Sequence, residues 1–232
     1  MAEGDEGEGP NTRLLAFSDG VIAVAITLLI LEIRLPEAFG EFTDAELWGA
    51  LLALWPRFMA FLISFAVIGV YWLNHHRKFD LIVRSDSGLK WLNLLFLLTI
   101  CVIPFVTAVI AQNSGFVGTA VYAGAMMLCG ISLGLIWFYA DRQGLLDPDC
   151  PREDRRRVLI GTLLVPAIFA ISVPLSLAHP DGAKFFWLLI IPANFALRTL
   201  AMLIWKLRNP GKPFPERNAG SRAGAKEPAK TP

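Results

Sequence analysis

The sequence predicts an all-α, polytopic membrane protein with six transmembrane helices. Composition, long uncharged runs and the placement of basic residues support this fold class. The 232 residues are 55% hydrophobic and only 18% charged, with a mean hydropathy of +0.53, which is more apolar than a soluble domain of this length. Six runs are long enough to cross a hydrocarbon layer about 30 Å thick as helices. They lie at residues 14–35, 47–74, 89–111, 116–140, 158–178 and 185–207.

Basic residues are concentrated in alternate connections, and this predicts the orientation through the positive-inside rule. They follow the second, fourth and sixth runs, as Arg77, Lys78, Arg84 and Lys90, then Arg142, Arg152, Arg155, Arg156 and Arg157, then Lys206, Arg208 and Lys212. The intervening connections hold few basic residues, and the one at 36–46 is acidic. Both termini are therefore predicted to lie in the cytoplasm.

Composition divides the chain into three parts: an acidic N-terminal segment at 1–11, a six-helix membrane domain at 12–208 and a basic C-terminal tail at 209–232. The acidic start lacks the basic n-region of a signal peptide, so we expect the first run to remain in the protein. The tail is rich in Pro, Gly, Lys and Arg, which is typical of disorder. We expect it to be solvated, with attraction to anionic lipids as the alternative.

Signatures of enzymes and of cofactor or nucleic-acid binding are absent from the sequence. No P-loop, Rossmann fingerprint or HExxH pattern occurs, and no basic face suggests a nucleic-acid partner. Cys101, Cys129 and Cys150 lack the close spacing of a zinc site or a disulfide framework. We expect no enzymatic activity, no cofactor and no metal site, and we expect membrane lipids as surroundings.

The first run differs from the others because polar residues mark its start. An acid near the start of a membrane helix is costly unless it is paired or wet, which makes Asp19 a functional candidate. The alternative is a simple helix start, in which Thr12 or Ser18 is the N-cap and Asp19 is favoured by the helix dipole. Both interpretations remain open at this point.

Helical spacing separates the first run into two faces. Val24, Leu28 and Leu31 fall at i, i+4 and i+7 on one stripe. Thr27 lies at the edge of that stripe. Asp19 falls roughly on the opposite side, so we expect it to face neighbouring helices and to need partners there.

The predicted inner ends of the second and third runs offer such partners at the same membrane depth. One polar cluster is predicted from these residues together with the start of the first run: Arg13, Ser18, Asp19, Asn74, His75 and Asn93. His75 and its neighbour His76 diverge by about 100° on a helix, so a shared metal site is disfavoured. A hydrogen-bonded structural histidine is the preferred interpretation, and protonation near neutral pH is a regulatory alternative.

The start of the first run also carries the pattern RxxxFSD, formed by Arg13, Phe17, Ser18 and Asp19, and it leads directly into the apolar segment 20–31. With this motif at the inner end of the first of six spans, the chain resembles the transmembrane protein 175 family. These are potassium-permeable channels of animal endosomes and lysosomes and of prokaryotic cell membranes. The segment from His75 through Asn93 to Pro104 and Phe105 is similar to the family as well.

The resemblance implies a homotetramer when a chain carries one six-span unit, with the first helices lining a central pore. By position, Val24, Leu28 and Leu31 match the family's ring-forming apolar residues, and Thr27 matches a threonine associated with selectivity. The RxxxFSD residues Arg13, Phe17, Ser18 and Asp19 match a network that anchors the pore helix. The chain has no TVGYG-type segment for a carbonyl filter, so we expect modest selectivity.

Together these observations lead to the hypothesis of a passive, potassium-permeable cation channel in a prokaryotic plasma membrane, with K⁺ as the permeant ion. The alternative is a proton-coupled secondary transporter that uses Asp19 and His75 as carriers. No convincing inverted repeat or pair of broken helices supports it. A third possibility is a scaffold whose polar cluster only secures helix packing.

Overall fold

The structure is a computed structural model that describes residues 11–35, 42–113, 115–178, 182, 186–190, 192, 196, 199, 203 and 207. Internal contacts divide the chain after Asn194. The second unit, 195–232, has only four described positions, and each is helical. All of the packing reported below belongs to the first unit.

The described chain is helical, and this confirms the all-α prediction. The helices are α1 (Thr12–Leu28, continued by a 3-10 turn at Leu29–Glu32), α2 (Asp44–Ala53), α3 (Trp55–Phe79), α4 (Ser87–Gln112), α5 (Phe116–Arg142) and α6 (Arg152–Ala178). Five of these helices, all except α2, are long and apolar enough to cross a membrane. The sixth predicted span at 185–207 lies outside the described residues except for isolated positions, and so do residues 1–10 and the tail at 209–232.

The predicted second run, 47–74, is wrong at both ends. It joins two helices, because the chain leaves α2 at Leu54 and a new helix starts with Pro56 in its first turn. Proline has no backbone N–H to donate and is well suited to a helix start. At the other end, α3 continues past Asn74 to Phe79. Cationic side chains in its last turn interact favourably with the negative end of the helix dipole.

Helix α6 likewise begins at Arg152, six residues before the predicted start of its apolar run at Val158. Its first turn carries Glu153 and Asp154, which suit the positive end of a helix dipole. Hydropathy therefore located the embedded length of this helix but not its charged extension.

Helix α4 occupies the middle of the bundle, where it packs against α1, α3 and α5, and α5 packs in turn against α6. Phe96, Ile100 and Ile103 of α4 are fully buried, as is Phe169 of α6. Asp86 caps α4 by accepting from the backbone N–H of Leu89 at 2.8 Å. This hydrogen bond is the main reason that the pKa of Asp86 is lowered. The result is a packed frame with α1 lying along one side of it.

Two glycines of α5 at the spacing GxxxG lead to a matched prediction. A Cβ added at Gly130 would overlap the Pro166 ring of α6, whereas a Cβ at Gly134 would lie 3.8 Å from Thr162 Cγ2. Gly130→Ala is therefore expected to lower the free energy of unfolding by about 1–3 kcal/mol. Gly134→Ala is expected to be neutral or to stabilise by up to about 1 kcal/mol through helix propensity. Unfolding in detergent micelles measures both free energies. Equal losses of stability in the two variants would show that Gly130 does not set the distance between α5 and α6.

Candidate functional site on the first helix

Helix α1 has one buried face and one uncovered face. Ser18, Ile22, Ala25 and Leu29 are buried, at most 2% exposed, against the rest of the bundle. On the other side, Val24 is 58% exposed, Leu28 44% and Leu31 57%. The residues predicted as one stripe thus share a face that no described part of the same chain covers.

Thr27 lies at the edge of this uncovered face, and its hydroxyl is oriented by its own helix. Its Oγ1 donates to the backbone carbonyl of Val24 at 2.8 Å. The hydroxyl proton is therefore occupied, while the oxygen lone pairs remain available as acceptors on the exposed side. Such an oxygen can act as a weak ligand for a cation.

The buried face of α1 is fastened by a directional hydrogen-bond chain, which we call the Ser18–Asn93–His75 relay. Asn93 Nδ2 donates to Ser18 Oγ at 2.9 Å, and Ser18 Oγ donates to the backbone carbonyl of Leu14 at 2.8 Å. On the other side of the amide, His75 Nε2 lies 2.7 Å from Asn93 Oδ1. Because Oδ1 only accepts, the Nε2 atom carries the proton. All three relay side chains are fully buried, so α1, α3 and α4 are joined by bonds that water does not replace.

His75 is enclosed by aromatic rings rather than by metal ligands. Its ring stacks on Phe96 at 5.2 Å between centroids with an interplanar angle of 11°, and it lies 4.4 Å from Phe79. Its Nδ1 atom has no hydrogen-bond partner among the residues that the structure describes. His76 is exposed, so the two adjacent histidines lie in different environments. This geometry suits a structural histidine that positions Asn93.

Asp19 turns toward α3, where the indole Nε1 of Trp72 donates to its Oδ1 at 2.8 Å. Trp72 was missed as a site residue in the sequence. The available signal was its place at the predicted inner end of the second run, at the depth of Asp19, since an indole N–H is a donor that needs an acceptor. The interpretation of Thr12 or Ser18 as N-cap is wrong: the N-cap residue is Asn11, and Ser18 lies inside the helix.

One member of the predicted cluster, Asn74, does not join the relay. Asn74 is nearly buried but forms no hydrogen bond with Asn93, His75 or Ser18. Phe17 is 53% exposed and lies on the uncovered face of α1, and Arg13 is exposed as well. The structure therefore brings together Ser18, Asn93 and His75, and separately Asp19 and Trp72.

The start of α1 is also fastened to the loops at its predicted cytoplasmic end. Asn11 Nδ2 donates to the backbone carbonyl of Ile82 at 2.6 Å, and this bond is buried. The loop that contains Ile82 pairs with the α5–α6 loop, because Val83 N donates to Leu145 O at 3.0 Å and Asp147 N to Leu81 O at 2.9 Å. Asn11 was missed because its partner is the backbone carbonyl of a loop 71 residues away, which only the fold brings close. The first helix is thus fixed both at its start and along its buried face.

The Asp19–Trp72 pair leads to a double-mutant prediction. Asp19→Ala and Trp72→Phe each remove one partner, and their coupling free energy is expected to be about 1 kcal/mol in favour of the pair. Unfolding in detergent micelles of the two single variants and the double variant measures this coupling. We expect ion selectivity to stay unchanged, because Asp19 faces α3 rather than the Val24 stripe. A coupling of zero, or a selectivity change in a well-assembled Asp19→Ala variant, would contradict this role.

Five long apolar helices, three of which are joined by a buried polar relay, define a multi-pass membrane protein of the α-helical class. Residues 13–104 match the family described as "Endosomal/lysosomal potassium channel TMEM175". A potassium channel of Streptomyces collinus is 41% identical over 179 residues, which cover 72% of this chain and 85% of that protein.

Two further relatives extend the comparison. The crystal structure of a lysosomal potassium-selective channel TMEM175 homolog from Chamaesiphon minutus is 34% identical, with a TM-score of 0.71 over 82% of this chain and 98% of that one. The human endosomal/lysosomal proton channel TMEM175 is 27% identical over 86% of this chain but only 39% of its own length. The chain belongs to the TMEM175 family, which confirms the resemblance found in the sequence. Members of this family are ion channels, so the expectation of a non-enzymatic protein is also confirmed.

Proposed function

We propose that the protein is a passive, potassium-permeable cation channel whose pore is lined by the uncovered face of α1 from several copies. The observation that carries the proposal is the contrast between the two faces of this helix. The buried face is held by the Ser18–Asn93–His75 relay, while Val24, Leu28 and Leu31 stay exposed on the other side. The Streptomyces and Chamaesiphon relatives are named as potassium channels, and this supports K⁺ as the permeant ion.

In this channel, the apolar side chains form rings that narrow the pore and resist wetting. Val24, Leu28 and Leu31 repeat at the spacing of successive helix turns, so each contributes a ring at a different depth. A hydrophobic constriction of this kind gates by dewetting. The Thr27 hydroxyl adds a weak oxygen ligand beside the rings. Because the sequence has no TVGYG segment, discrimination between K⁺ and Na⁺ is modest.

The assembly that suits this pore is a homotetramer in a prokaryotic plasma membrane. One chain supplies one α1, so a closed ring of apolar side chains needs several copies around an axis. Support for a single unit per chain comes from the relatives: this chain covers 85% of the Streptomyces protein but 39% of the human one. The mass of the purified protein in detergent, measured by light scattering, tests the tetramer.

The decisive experiment for function is ion flux with the purified protein in liposomes. We expect K⁺ flux that follows the imposed voltage, does not saturate in the manner of a carrier and exceeds Na⁺ flux moderately. Because the human relative is named a proton channel, proton flux is measured in the same vesicles.

Two rival functions give different results in that assay. A proton-coupled transporter would show saturable flux that requires a proton gradient, and a scaffold would show no flux. The geometry argues against the transporter, because the Asp19 carboxylate already accepts from Trp72 and His75 is fully buried with its Nε2 atom bonded. Neither group is placed to exchange protons with water on both sides in turn.

A further inference from the structure

Helix α2 carries an apolar face that no described part of the chain covers. Trp48, Leu51, Leu52 and Trp55 fall at i, i+3, i+4 and i+7, which places them on one side of the helix and its junction with α3. They are 65%, 39%, 62% and 63% exposed, respectively. No residue of α2 is buried. We call these four residues the α2 face.

The position of α2 in the chain identifies what lies next to this face. Trp55 begins α3, which is long and apolar enough to span the membrane, so α2 lies where the hydrocarbon gives way to lipid headgroups. The exposed apolar surface continues from the α2 face down α3 through Phe58, Leu62 and Phe65. The two surfaces are continuous, and the α3 part belongs to a helix long and apolar enough to span the membrane, so lipid is the expected contact of both.

The other features of α2 suit a helix that lies at the membrane surface. Its first turn is polar, with Asp44 and Glu46 exposed, and it is closed by a capping box in which Glu46 N donates to Thr43 Oγ1 and Thr43 N donates to Glu46 Oε2. The side opposite the α2 face holds Gly49, Ala50 and Ala53 in addition to Glu46. The helix therefore starts in water without help from other elements and becomes apolar toward α3.

The chemistry of the α2 face favours lipid over protein as its occupant. Tryptophan is enriched at membrane interfaces because its ring is apolar while its N–H donates to water or headgroup oxygens. Trp48 and Trp55 stand at the two ends of the face, and the hydrogen bonds of the described residues include none from either indole. Both N–H groups are thus available to glycerol, carbonyl or phosphate oxygens.

We propose that α2 is an interfacial anchor, whose face of Trp48, Leu51, Leu52 and Trp55 inserts at the headgroup boundary of the leaflet in which α3 begins. By the predicted orientation this is the outer leaflet. The anchor is joined to the first helix, because Arg57 Nη1 donates to the backbone carbonyl of Arg34 at 3.0 Å and Arg34 Nε donates to Leu31 O at 3.1 Å. Arg57, two residues after Trp55, therefore binds the chain just beyond the 3-10 turn that continues α1.

Quenching of tryptophan fluorescence by brominated lipid tests this proposal without measuring ion flux, so it stands apart from the proposed function. The full chain is reconstituted in phosphatidylcholine vesicles with either ordinary or dibrominated acyl chains. The chain has seven tryptophans, and Trp48→Phe/Trp55→Phe removes the two on the α2 face. We expect the double variant to lose a large part of the lipid-quenched emission, and the lost part to be quenched more by bromines near the headgroups than by bromines deep in the chains.

The matched control is Trp137→Phe, because Trp137 is only 2% exposed inside the bundle. This variant is expected to keep the lipid-quenched emission of the original protein. An unchanged quenched emission in the double variant would overturn the proposal. Quenching of the tryptophans of the α2 face by aqueous acrylamide but not by brominated lipid would also overturn it, because the helix would then lie in water. Shielding from both quenchers, with a lower oligomer mass for Trp48→Ser/Trp55→Ser, would assign the α2 face to a second copy instead.

Discussion

Replacing Val24 or Leu28 by asparagine is expected to raise the single-channel conductance several-fold and to lower the preference for K⁺ over Na⁺. Both side chains lie on the uncovered face of α1, and neither is buried by the described part of the chain. An amide in the ring offers water hydrogen bonds that a hydrocarbon surface does not, so the constriction wets more readily. Recordings in planar bilayers under bi-ionic conditions measure conductance and selectivity together.

The control for this prediction is a leucine of similar exposure on another helix. Leu98 of α4 is 62% exposed and is apolar in the same way. Leu98→Asn places the same amide on the exposed surface of α4 rather than on the uncovered face of α1, so we expect the conductance to stay at its original value. If Val24→Asn and Leu28→Asn leave the currents unchanged, the stripe does not line the pore. If Leu98→Asn has the same effect as they do, the effect is not specific to α1.

Asn93→Ala is expected to produce the largest loss of stability, about 2–3 kcal/mol in the free energy of unfolding. The substitution removes both bonds of the Ser18–Asn93–His75 relay and leaves the Nε2–H of His75 buried without an acceptor. It also removes packed atoms from a fully buried side chain. Since the relay joins α1 to α3 and α4, a smaller fraction of assembled channel should accompany the loss. Unfolding in detergent micelles measures the first effect, and size-exclusion chromatography the second.

Asn74 supplies a matched asparagine for this experiment. It lies on α3 beside His75 and is 9% exposed, but it forms no hydrogen bond with the relay residues. Asn74→Ala is expected to cost less than about 1 kcal/mol. Equal losses for Asn74→Ala and Asn93→Ala would mean that the relay contributes nothing beyond ordinary burial of an amide at this depth.

The sequence predicted the two faces of the first helix well. Helical periodicity depends only on residue spacing, so it placed Val24, Leu28 and Leu31 together and Asp19 away from them before any fold was known. Hydropathy likewise located α4 and α5 to within two residues at each end. It failed between α2 and α3, because a break at Leu54 between two apolar helices changes the hydropathy very little. The proline at position 56 was the local signal of that break, whereas Thr43 was the signal for the start of α2.

What the sequence determined by itself was therefore the class of protein, four of the embedded segments and the two faces of the first helix, because these follow from periodicity and from transfer of side chains out of water. Only the tertiary structure decided which polar side chains meet. It selected Asn93 and not Asn74 for the relay, and it paired Asp19 with Trp72. Hydrogen bonds need distances near 3 Å and correct directions, and these depend on how α1, α3 and α4 are rotated against one another.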